Sequence, residues 1–151
     1  MKKKSFIYYI SAMRIPVVVL LLFCFLILCF FQIANLDTGP DPAVEALAVG
    51  VSVAFYLGCL AAAAVFGAAR SKGFPVVAGV LCAVYLFAMF SYLIQWLWPA
   101  RILWCLMIPF LPLWNVLLPW LGCTIMIVLM ILMFVLYSVF YRMAKSLAHK
   151  N

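Results

Sequence analysis

Residues 46–98 read ALAVGVSVAFYLGCLAAAAVFGAARSKGFPVVAGVLCAVYLFAMFSYLIQWLW, and this stretch decides the fold. Two apolar runs, Ala46–Ala69 and Phe74–Trp98, are separated only by Arg70-Ser71-Lys72-Gly73. Each run exceeds the roughly 20 apolar residues a helix needs to cross a hydrocarbon core of about 30 Å. A link this short forces the two helices into an antiparallel hairpin.

Outward from the hairpin the pattern repeats. Ile15–Ile33 precedes it and Trp120–Tyr141 follows it, so four spans occupy most of the 151 residues and leave no room for a soluble domain. The expected fold is an all-α membrane domain over residues 1–151. Its composition agrees: 72% of residues are hydrophobic and 9% charged, with mean hydropathy +1.31, against about 25% charged in soluble domains. The run after Lys2, Lys3 and Lys4 is too long for the apolar core of a signal peptide, and no A-x-A site follows it. It reads as an uncleaved first span.

The few charges set the orientation. Lys2, Lys3, Lys4 and Arg14 flank the first span, Arg70 and Lys72 form the hairpin link, and Arg142, Lys145 and Lys150 follow the last span. Arg101 stands alone on the other side, with Asp37, Asp41 and Glu45. The positive-inside rule therefore puts both termini in the cytoplasm, with a bacterial inner membrane as the expected location. The net charge of +7 is a basic fringe against anionic headgroups. It requires no nucleic-acid partner.

Residues 99–119 are apolar but interrupted by Pro109 and Pro112, with Pro119 at their end, and each proline removes a backbone donor. This cap is expected to lie in the outer interface or to re-enter the membrane partway. Trp96, Trp98, Trp104, Trp114 and Trp120 fall in or beside it, at the depth tryptophan prefers.

Candidate chemistry is sparse. Ionisable residues at depth mark transport and proton relay, but Arg14 and Glu45 sit at span ends and His149, the only histidine, lies in the tail. No cofactor is implied. Of the six cysteines, Cys105 and Cys123 approach the outer face. No C-x-x-C occurs, and the plainer reading is that both fill apolar space. Met126, Met130 and Met133 recur at helical spacing; soft-metal binding is possible in principle, but gap-filling is the simpler account.

Two patterns remain. Ala46, Gly50, Ala54, Gly58 and Ala62 recur every fourth residue, and Gly79 and Ala83 answer them in the next span. Small residues let helix backbones approach in lipid, so these seven are the expected packing positions, toward the chain itself, a second copy or another membrane protein. Gln32, Gln95, Arg101 and Asn115 form a possible outer polar cluster; interfacial solvation is the plainer account of them. The expected function is that of an accessory, scaffold or immunity-type protein working through helix contacts rather than an enzyme. The alternatives are a lipid- or quinone-interacting enzyme or redox subunit using the outer cap, and a subunit of an oligomeric channel or transporter.

The topology is testable with single cysteines in a cysteine-free background. An impermeant maleimide applied from outside should label positions 41 and 101 and leave position 72 untouched; the reverse pattern overturns the orientation.

Overall fold

The computed structural model describes residues 2–38, 41–93, 108–109, 112 and 119–148; for 2–5, 33–38, 92–93 and 119–120 it describes the backbone alone. Helix is the only regular structure among them. The order is α1 (Lys2–Ala12), α2 (Arg14–Thr38), α3 (Pro42–Ala68), α4 (Phe74–Leu93) and α5 (Pro119–Ala148). The last four are long and apolar enough to cross a membrane, and their sides expose large apolar residues such as Phe23, Leu57, Phe90 and Ile131. Such surfaces suit lipid, where burial in protein is not required.

Proline starts each long helix. Pro42 and Pro119 open α3 and α5, while Pro16 and Pro75 sit in the first turns of α2 and α4. There a missing N–H removes no helical bond. Pro16 also explains why α1 and α2 are separate, because its ring would crowd the Ala12 carbonyl in a continuous helix. The chain instead turns at Met13, whose N–H donates to the Ile10 carbonyl at 3.0 Å. The basic lead-in is thus helical, and Ile7 packs with Ala68 and Ala144.

Helix α3 starts earlier than hydropathy alone places it because Asp41 caps it. The Asp41 carboxylate accepts from the Ala43 N–H at 2.9 Å, and Glu45 adds negative charge to the first turn. At its far end the Ser71 N–H donates to the Phe66 carbonyl and the Arg70 N–H to the Gly67 carbonyl, closing a Schellman turn. Arg70 takes the left-handed position that turn requires, at φ 54°. This strains a residue with a Cβ by about 1 kcal/mol. Beyond Tyr141, α5 continues to Ala148, because Ala144 and Leu147 still pack against α1.

Helix α3 is central and touches α1, α2, α4 and α5. It comes close to α5 at Gly67. A Cβ added at Gly67 would lie 2.5 Å from the Tyr137 carbonyl oxygen and 3.1 Å from the Tyr137 Cα. Beside this contact Phe66, Phe74 and Tyr137 stack at centroid spacings of 5.2 and 5.3 Å, and Tyr141 continues the series at 5.8 Å. The Tyr137 hydroxyl donates to the Ser71 carbonyl at 2.7 Å, tying the α3–α4 link to α5.

Gly67→Ala should therefore destabilise the protein by about 1–3 kcal/mol in mixed-micelle unfolding, since the clash is with backbone and cannot be relieved by a rotamer. Gly50→Ala and Gly79→Ala, where a Cβ meets nothing within 4 Å, should be neutral or stabilising by up to about 1 kcal/mol.

Candidate functional site

Helix α4 is held at its two ends. Near the link, Phe74 packs into a cluster with Val17, Ala62, Val65 and Phe66. Toward its other end, Ala88, Met89 and Tyr85 pack with Cys123, Met126 and Tyr56. Between these clusters α3 and α4 part and leave a cleft of about 220 Å³.

Its walls are apolar and soft. Phe55, Tyr56, Cys59 and Ala62 come from α3, and Phe74, Ala78, Cys82 and Tyr85 from α4. Helix α5 adds Met126, Leu129, Met130 and Met133, and α2 adds Leu21. Among the described residues no charged side chain lines it. Val77 and Leu81 at its edge are 60% and 47% exposed, so the mouth runs along the half of α4 nearer the link.

Three hydroxyls are buried in α3 and α4, of which only Tyr56 also belongs to the cleft wall. Ser52, Tyr56 and Ser91 have no hydrogen-bond partner for their side-chain oxygens among the described residues. Ser52 is 0% and Ser91 1% exposed. Ser52 lies one helical turn from Tyr56 on the same face. The packing of Tyr56 near Ala88 and Met89 brings Ser91 to a similar height on α4. Burying such a group unpaired costs roughly 1–3 kcal/mol.

The small residues singled out above divide. Gly58 and Ala62 are buried: Ala62 packs with Val17 and Val65, and a Cβ on Gly58 would lie 2.8 Å from a Leu21 methyl. Ala46, Gly50, Ala54 and Ala83 are exposed, and Gly79 is half-buried. A four-residue step overshoots a 3.6-residue turn, so the series drifts around α3 instead of running straight along it. Ala46, Gly50, Val53, Ala54, Leu57 and Ala61 are all exposed and do form one straight face.

Gln32 is half-buried toward the end of α2, while Gln95, Arg101 and Asn115 lie outside the described residues, as does Cys105. Cys123 is a buried free thiol. Of the 99–119 cap, Pro109 is fully buried and follows Ile108 in a turn. Among the described residues no three His, Cys, Asp or Glu side chains gather as metal ligands. The three methionines share the cleft with Cys59 and Cys82. Gly67, Tyr137 and the three hydroxyls carried no signal in sequence, because each acquires its importance from another helix. The chain matches no protein-family model, no curated protein and no solved structure.

Because these hydroxyls are buried without a partner among the described residues, Ser52→Ala and Ser91→Ala should each raise stability, by about 1 kcal/mol in mixed-micelle unfolding. A loss of similar size would mean that the hydroxyls are satisfied.

Proposed function

We propose that this chain is an inner-membrane protein, both termini cytoplasmic, that works as an accessory, scaffold or immunity-type factor by docking another membrane helix. The observation that carries the reading is the exposed face of α3 formed by Ala46, Gly50, Val53, Ala54, Leu57 and Ala61. Its positions recur at the three- and four-residue spacing of a helix seam, and half of them are Ala, with one Gly. In lipid, where apolar contact alone gives no hydrophobic drive, a shallow seam of small residues is what lets a second backbone come close and gain dispersion. The cation bias supports the orientation. The uncharged interior of the described helices favours docking over ion or proton transport.

The test separates association from folding, because position 50 is exposed and a Cβ there meets no neighbouring atom within 4 Å. Purified in mild detergent, the wild-type chain should carry a stoichiometric second subunit or copy on native mass measurement. Gly50→Leu should lose it while its unfolding midpoint stays unchanged, and Leu57→Ala should weaken it less. A complex of undiminished size and yield in Gly50→Leu removes the seam as the docking surface.

A further inference from the structure

Helix α5 has a face that the bundle does not use. Ile131, Phe134, Val135, Ser138, Val139 and Arg142 line a shallow groove along it. All but the half-buried Phe134 are exposed. Their spacing keeps them on one side of the helix, turned away from Met126, Met130 and Met133 in the cleft. Lys145 is exposed and stands one turn beyond Arg142 on the same side. The groove is therefore apolar along most of its length and cationic at one end.

Its length is that of one leaflet. Arg142 stands eleven residues after Ile131, a rise of roughly 16 Å. Half of a hydrocarbon core of about 30 Å is about 15 Å. A spanning partner helix would continue the apolar contact past the midplane, whereas an acyl chain ends there.

The cations at the end of the groove have no acidic side chain of this protein to pair with. Asp37, Asp41 and Glu45 are the only three, and they lie where α2 ends and α3 begins. Helix α3 runs for 27 residues from that point to the link, so roughly 40 Å separates the two sets of charge. The screening length is only about 8 Å. The Tyr137 bond to the Ser71 carbonyl also holds Arg70 and Lys72, both exposed, at the cationic end of α5. The balancing negative charge must come from outside the bundle, at the height where a leaflet carries its phosphates. Arg142 can give a phosphate two parallel N–H bonds, and Lys145 adds a point charge beside it.

We propose that this groove binds one anionic phospholipid, its phosphate between Arg142 and Lys145 and an acyl chain along Val139, Val135 and Ile131. The site lies on α5 and does not depend on the α3 docking seam, so it stands or falls without that reading.

The probe is phosphatidylglycerol, compared with phosphatidylcholine of the same acyl chains. Each is titrated onto the delipidated full chain in mild detergent, and bound lipid is counted by native mass measurement. The wild-type chain should hold one phosphatidylglycerol about 10-fold more tightly than phosphatidylcholine, the size of a charge-assisted hydrogen bond. Arg142→Gln should abolish that preference and Arg142→Lys should retain most of it. Arg14→Gln, which removes the same charge from the same end of the bundle, should leave it unchanged. Val135→Trp, which fills the groove without touching the cations, should weaken both lipids. All these positions are exposed, so unfolding midpoints should match the wild type. Equal retention of the two lipids by the wild-type chain, or equal losses in Arg142→Gln and Arg14→Gln, overturns the proposal. So does a copurifying acidic polypeptide, rather than lipid, that is lost in Arg142→Gln.

Discussion

The backbone of α3 meets the backbone of α5 at Gly67, and the rest of the bundle is arranged around that contact. With no side chain on one partner, the helices approach until a Cβ at position 67 would sit 2.5 Å from the Tyr137 carbonyl. Tyr137 is thereby positioned to stack on Phe74 and to donate to the Ser71 carbonyl, so one residue of α5 holds both the start of α4 and the turn before it. In a bilayer this matters more than in water. No hydrophobic gain drives helices together there, and close packing with directional bonds must supply the attraction.

The opposite condition holds a few turns away. Once α4 leaves the Phe66–Phe74–Tyr137 stack, its next anchor is the meeting of Ala88 and Met89 with Cys123 and Met126 of α5, where Tyr56 of α3 also packs. The bulk of Tyr56 and Tyr85 keeps the two helices apart at this level. A cleft is the geometric result of a tight clamp at one end and large side chains at the other.

Much of this arrangement is readable in the chain, and the remainder is not, for physical reasons. Long apolar runs and sparse charges report a partition between water and lipid, a property of each segment taken alone; hence the four helices follow from composition. Asp41-Pro42 marks the start of α3 for the same local reason, a cap followed by a residue preorganised for the first turn. Pairing between helices is not local. Gly67 stands in a run of small residues with nothing to distinguish it from Gly50, and only the arrival of Tyr137, seventy positions later, separates a mandatory glycine from a dispensable one. The four-residue series in α3 misleads in a related way, since a regular interval in sequence becomes a straight line on a helix only when it matches the turn. The Gln32, Gln95, Arg101 and Asn115 group stays an expectation, as three of its members fall outside the described residues.

Helix α3 carries its exposed seam and its cleft wall on adjoining sides. Gly50, Ala54 and Leu57 are exposed, Phe55 and Cys59 line the cleft, and Leu60 of the wall lies two turns along from Val53 of the seam, on the same face. A helix docked along the seam therefore reaches the rim of the cleft, and the two surfaces share an edge. The Gly67 contact with Tyr137, where backbone meets backbone, is the natural pivot of α3 between them.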